Sequence, residues 1–116
     1  MSAKKEDLCY IKGPDGKMYL NFEQPDYGLW GQKRLAYLKK NLPDEYMELL
    51  KAGDLNHHLN KVERRAVSMM DYIVEKYAKH DGVTEELKKR DPLEWVGLMN
   101  NYRHEAAKVV EETLIR

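Results

Sequence analysis

The chain reads as a mainly α protein: a small helical bundle around one long central helix, with a short N-terminal β-hairpin. Three observations carry that reading. Positions 54–80 contain neither proline nor glycine, and Leu55, Leu59, Val62, Ala66, Met69 and Ile73 recur there at steps of four and three. Asp91-Pro92-Leu93-Glu94 joins an N-cap, a first-position proline and an acid three residues after the cap, and a second long periodic stretch follows. Near the N-terminus, two short runs rich in Tyr, Ile, Leu and Phe flank Gly13-Pro14-Asp15-Gly16, a turn sequence.

At 116 residues the sequence fits a single domain, with 1–27 as a hairpin appendage and 28–116 as the helical core. The strands cover Leu8–Ile11 and Lys17–Phe22. Two strands alone are marginal in water, so the hairpin is expected to lay one face, Leu8, Tyr10, Met18 and Leu20, on the helices. Asp26 is placed to accept hydrogen bonds from the amides of a helix starting near Tyr27 or Gly28. That helix, to about Asn41, sets Leu35, Leu38 and Leu42 on one side and Lys33 and Lys40 roughly opposite. Pro43 starts a second helix with Asp44 and Glu45 in its first turn and Gly53 at its end. Asp54 then caps the central helix, which at 1.5 Å per residue spans about 40 Å.

Along the central helix the apolar face changes width. Val67, Met70, Val74 and Tyr77 form a second row over its later half, more than one partner helix would cover. His80-Asp81-Gly82 ends it, and Thr84-Glu85-Glu86 begins a short basic helix finishing at Lys88-Lys89-Arg90. The last helix runs from Pro92 to about Leu114 with Trp95, Met99, Tyr102, Ala106 and Val109 as its stripe. A neighbouring stripe is interrupted by Asn100 and Arg103. Two readings of that interruption stand: a buried polar network completed by Glu63 or Asp71, or a docking surface anchored by Trp95 and Arg103.

Charge narrows the function classes. Twenty bases balance twenty acids, so no global field draws the protein to nucleic acid or membrane. The excess is local: positions 28–41 carry four bases and no acid. Lys33, Arg34 and Lys40, together with His57, Lys61 and Arg64 and with Asn60 beside them, are side chains suited to phosphates and base edges. With the Gly53-Asp54 turn they make 28–65 a candidate helix-turn-helix. Ordinary solvated helix surface is the competing reading.

No catalytic constellation assembles. His104-Glu105-Ala106-Ala107-Lys108 matches a zinc-protease motif for three letters, but Lys108 stands at the second ligand position. His57 and His58 lie about 100° apart on a helix and lack a chelating partner four residues on. Ser68 and Cys9 have no base in sequence reach, and no phosphate-cradling glycine loop exists. The scattered tyrosines suit a core edge better than a stacking platform. No cofactor, metal or small-molecule substrate is inferred, and the chain is expected not to be an enzyme. One cysteine, no apolar run of about 20 residues and no signal segment point to a cytoplasmic setting without membrane contact.

Several stretches together resemble the transposon-encoded TnpV proteins of bacterial mobile elements. They are Gly28-Leu29-Trp30-Gly31 with Arg34–Lys39; Leu49-Leu50 with Gly53, Leu55-Asn56 and Leu59; Gly82-Val83-Thr84-Glu85 with Leu87-Lys88; and Glu94–Asn101 with Arg103. The resemblance implies an accessory protein of a transposon rather than its recombinase, and it brings no catalytic residues to carry over. The expectation is a non-catalytic accessory protein acting through protein–protein association, as a homo-oligomer or with a transposon or host protein. The alternative is a DNA-binding regulator using the 28–65 face.

Overall fold

The computed structural model describes residues 8–116. Strands β1 (Cys9–Lys12) and β2 (Met18–Asn21) are followed by helices α1 (Leu29–Asn41), α2 (Pro43–Ala52), α3 (Leu55–His80), α4 (Glu85–Arg90) and α5 (Pro92–Val110). Past Val110 the backbone continues as a π turn over Glu111–Ile115. A mainly helical chain with a long central helix and an N-terminal hairpin is therefore what forms. Two compact units divide it, one running through Arg64 and including Ile115, the other Arg65–Leu114 with Arg116, and the division falls inside α3.

In the first unit the hairpin is antiparallel, with Cys9 opposite Asn21 and Ile11 opposite Tyr19. Its turn closes with Gly16 N–H donating to the Gly13 carbonyl, and Gly16 takes φ 81°. The inward face is not Leu8, Tyr10, Met18 and Leu20. Tyr10 and Met18 are 65% and 59% exposed, whereas Ile11 and Tyr19 pack on the helices. Because strand side chains alternate, choosing the odd rather than the even residues of β1 exchanges the two faces completely. What selects the odd set is polar: Asn21 is fully buried, and its Oδ1 accepts from the Asn56 amide at the start of α3. Its Nδ2 is the one sealed side-chain donor without a partner among the described residues.

Leu38, Tyr46, Leu50, Leu55 and Leu59 form the core of this unit, joining α1, α2 and the first turns of α3. Each buried leucine contributes about 1.5–3 kcal/mol relative to exposure. The α2 helix stops at Gly53 in a Schellman motif: Gly53 N–H donates to Leu50 O and Asp54 N–H to Leu49 O, with Gly53 at φ 77°. That glycine is constrained twice, since a Cβ there would lie 2.6 Å from the Phe22 ring and 3.1 Å from Leu20 O.

The second unit repeats the device. At the end of α3, Gly82 (φ 71°) donates to Lys79 O and Val83 N–H to Ala78 O. Val83 and Ala78 both pack on the second core, Val74, Tyr102 and Ala106, which is the apolar contact that accompanies such a stop. On α3 the second apolar row is inward from Met70 onward, whereas Val67 is exposed. On α5 the buried positions are Tyr102, Ala106 and Val110. Val109 is exposed, because two successive steps of four carry the stripe from Tyr102 through Ala106 to Val110. Asp91 caps α5 as its sequence predicts, accepting from the Glu94 amide at 3.2 Å.

The three glycines with different surroundings separate backbone from packing effects. Gly82→Ala meets no atom within 4 Å, so only its positive φ opposes it, at about 1 kcal/mol. Gly53→Ala adds a clash with Phe22 and is expected to cost about 2–3 kcal/mol. Gly97→Ala, inside α5 with open space around it, is expected to stabilise by about 0.5–1 kcal/mol. Urea denaturation of the three variants followed by circular dichroism checks the order; equal losses at Gly53 and Gly82 would contradict it.

Candidate functional site

The first half of α3 carries a polar row that the apolar periodicity does not announce. Asn56, Asn60 and Glu63 are spaced four and three apart, so they share one flank of the helix. All three face the connector between β2 and α1. Asn56 Nδ2 donates to Glu23 O at 2.9 Å. Asn60 Nδ2 donates to Gln24 O at 3.0 Å and Glu23 Oε2 at 3.1 Å, while its Oδ1 accepts from Asp26 N at 2.7 Å. Glu63 Oε1 accepts from Gly28 N and Gly31 N at 2.8 and 2.9 Å. The cap of α1 is thus Glu63, from another helix, rather than Asp26. A carboxylate there meets the positive end of the helix and two of its free amides together. Gly31 is required for a separate reason: a Cβ would lie 2.4 Å from the Tyr27 side chain.

These contacts redistribute the residues marked for nucleic acid. Asn60 is buried and belongs to the connector clamp. Arg34 is only 11% exposed in its side chain; its Nε donates to His58 Nε2 at 3.2 Å and its Nη2 lies 3.6 Å from Glu45. Lys33 stands 5.2 Å from the Trp30 ring centre. His57 Nδ1 is 2.6 Å from Glu23 Oε1. Lys40, Lys61 and Arg64 are exposed. The basic set of 28–65 is therefore split, with part of it spent on holding the first unit together and the remainder facing outward.

Two pKa values follow from this geometry. Glu23's carboxyl lies below its ordinary value because His57 and Asn60 bond its charged form. His58's lies below 6.5, chiefly through burial and then through the charge of Arg34. The Arg34 bond requires a lone pair on His58 Nε2, so the neutral ring with its proton on Nδ1 is the form that fits.

In the second unit Trp95, Met99 and Arg103, one turn apart on α5, line an open groove of about 570 Å³ opposite Met70, Val74 and Ala78 of α3. Lys88 of α4 covers the Trp95 ring, with Nζ 4.7 Å from its centre. Asn100 and Arg103 are exposed and bond each other, Nη1 to Oδ1 at 3.3 Å. The buried polar network is not formed, because Glu63 is committed to α1 while the stripe bearing Asn100 faces outward. Asp71 and Arg103 both line the groove, which Lys79, Glu75 and Glu85 also border. Elsewhere in this unit Tyr102 donates to Asp81 Oδ2 at 2.7 Å, which lifts the phenol to about 12 and, after His80, helps lower the Asp81 carboxyl.

Among the described residues no group of three His, Cys, Asp or Glu side chains is placed to hold a metal ion. No helix is long and apolar enough to cross a membrane. Fold and sites define a small helical protein with a polar clamp in one unit and an apolar groove of mixed-charge rim in the other. A family model described as transposon-encoded protein TnpV matches residues 7–115, and the chain belongs to that family. Neither the curated proteins nor the solved structures contain a match.

Asn60→Ala leaves Asp26 N, Gln24 O and Glu23 Oε2 without their Asn60 partner, and the expected loss is about 2–4 kcal/mol in denaturant titration. The His58 shift gives a pH signature. With its folded pKa below the unfolded 6.5, His58 contributes stability that is complete above 6.5 and lost as pH falls toward the folded value. Stability of the wild type should decline across that window, and His58→Gln should flatten the decline; an unchanged slope would contradict the assignment.

Proposed function

We propose that this TnpV protein is a non-catalytic accessory protein of a bacterial transposon and acts through protein–protein association, with a second copy of itself as partner. The observation that carries the reading is the groove of the second unit. Its floor is apolar, its α5 wall presents Trp95, Met99 and Arg103, and its rim holds both signs of charge: Asp71, Glu75 and Glu85 against Lys79 and Arg103. Trp and Arg are the residue types that most often anchor interfaces. A patch carrying both signs can pair with its own copy about a two-fold axis, as an isologous interface demands.

A second reading, DNA binding, is supported by the outward-facing cations Lys40, Lys61 and Arg64 of the first unit. The two readings separate by salt. A protein that neutralises phosphates loses duplex affinity steeply as salt rises, whereas association through an apolar groove does not depend on counterion release.

Size-exclusion chromatography with light scattering is expected to return twice the 13.7 kDa chain mass, and Trp95→Ser with Arg103→Glu to return the single mass at unchanged helicity. A monomer at high concentration would count against association. In a gel shift with random duplex DNA, the leading reading expects no salt-dependent complex. A complex lost on converting Lys40, Lys61 and Arg64 to Glu would establish the second reading instead.

A further inference from the structure

Beside the clamp, the first unit contains a cavity that borders Asn56 and the connector and that the outward-facing cations do not line. It is an open hollow of about 310 Å³ between β1, the connector, α1, α2 and the start of α3, a volume at the lower end of small-molecule sites. Its walls are mostly apolar, with Ile11, Pro25, Leu35 and Leu55 among them. Its polar side chains are Cys9, Tyr10, Gln24, Asn56 and three others. Tyr27, Tyr46 and Lys39 all line it, and no acid does.

Tyr46 is the informative residue. It is 4% exposed, yet its hydroxyl bonds no described residue, and the same holds for Tyr27. A buried phenol ordinarily finds a partner for its O–H. The Tyr46 hydroxyl is not sealed from solvent. Tyr27 and Tyr46 line the same cavity, on its connector and α2 sides. Both phenols are protonated donors at neutral pH, and burial raises them further above their ordinary 10.0. Lys39 sits over the Tyr46 ring with Nζ 5.7 Å from its centre, adding a positive charge at the same wall. The other polar side chains there are engaged or turned to solvent: Asn56 Nδ2 bonds Cys9 Sγ and Glu23 O, the Cys9 thiol bonds Glu23 O, Gln24 Nε2 bonds Leu8 O, and Tyr10 is exposed.

We propose that this cavity binds a small, mainly apolar molecule ending in a carboxylate, with the carboxylate held by the Tyr27 and Tyr46 hydroxyls and Lys39. The carboxylate supplies acceptors for two donors that have none among the described residues. Its charge matches a wall holding one cation and no acid, and its apolar body replaces water against Ile11, Leu35 and Leu55. A ligand ammonium would meet Lys39 without a counter-charge, and a neutral amide would satisfy the phenols without the charge pairing.

The test uses the full chain and three isosteric probes: phenylacetate, phenylacetamide and phenethylammonium. Two-dimensional amide NMR titrations to about 10 mM reach weak binding. Phenylacetate is expected to give saturable shifts at Ile11, Tyr27, Leu35 and Tyr46, with phenylacetamide about tenfold weaker and phenethylammonium silent. Tyr46→Phe and Lys39→Met should each weaken phenylacetate about tenfold while leaving the amide spectrum folded, and Lys61→Met should change nothing. The proposal is overturned by an absence of saturable shifts, by equal binding of the three probes, or by phenylacetate binding that survives both cavity variants.

Discussion

The first unit depends on three side chains of one helix that bond to the backbone of a segment with no regular structure. A connector between a strand and a helix leaves its amides and carbonyls without ladder partners, and burying them unpaired would cost more than the apolar contacts around them return. Asn56, Asn60 and Glu63 answer that demand at Glu23 O, Gln24 O, Asp26 N, Gly28 N and Gly31 N. Everything downstream follows. Once the connector is fixed, α1 starts with its first amides already satisfied, Tyr27 lies over Gly31, and the hairpin is held with Ile11 and Tyr19 inward. Asn21 completes the arrangement from the hairpin side, by meeting the Asn56 amide.

The helices were legible because their signals are local. Proline at the starts of α2 and α5, glycine at the ends of α2 and α3, and apolar steps of four and three place the helices within a residue or two, except that α5 gives way to a π turn at Val110, four residues before the expected Leu114. The hairpin's inner face was not legible, because Leu8, Tyr10, Met18 and Leu20 are as apolar as the set that packs. A buried asparagine on β2, visible only through its long-range partner on α3, decides between them. Likewise Asn60 looked like a base reader because it was weighed with His57, Lys61 and Arg64. Set beside Asn56 and Glu63, at offsets of four and seven, it falls on the flank of the buried stripe, and that spacing was available in the sequence.

The candidate sites show the same division. Arg34 was grouped with Lys33 and Lys40 by sign of charge, yet guanidinium geometry suits it to the half-buried place between His58 and Glu45 that a lysine would fill less well. For Asn100 and Arg103 the buried network does not form, since both are exposed and bond each other while Glu63 is spent on a helix end. The groove itself needs both α3 and α5, and no single stretch of residues announces it.

The clamp has a consequence for how sequences of this kind can drift. It grips the connector by main-chain atoms, so substitutions between Phe22 and Tyr27 leave the gripped groups in place whatever the side chains become, provided size and turn geometry permit. The α3 segment has no such freedom in length. One residue inserted between Asn56 and Glu63 turns everything beyond it by about 100°, and the acceptor for α1 leaves the connector altogether. Divergent relatives are therefore expected to betray this architecture by an Asn, Asn, Glu spacing of four and three on a helix, even where the segment it holds has become unrecognisable.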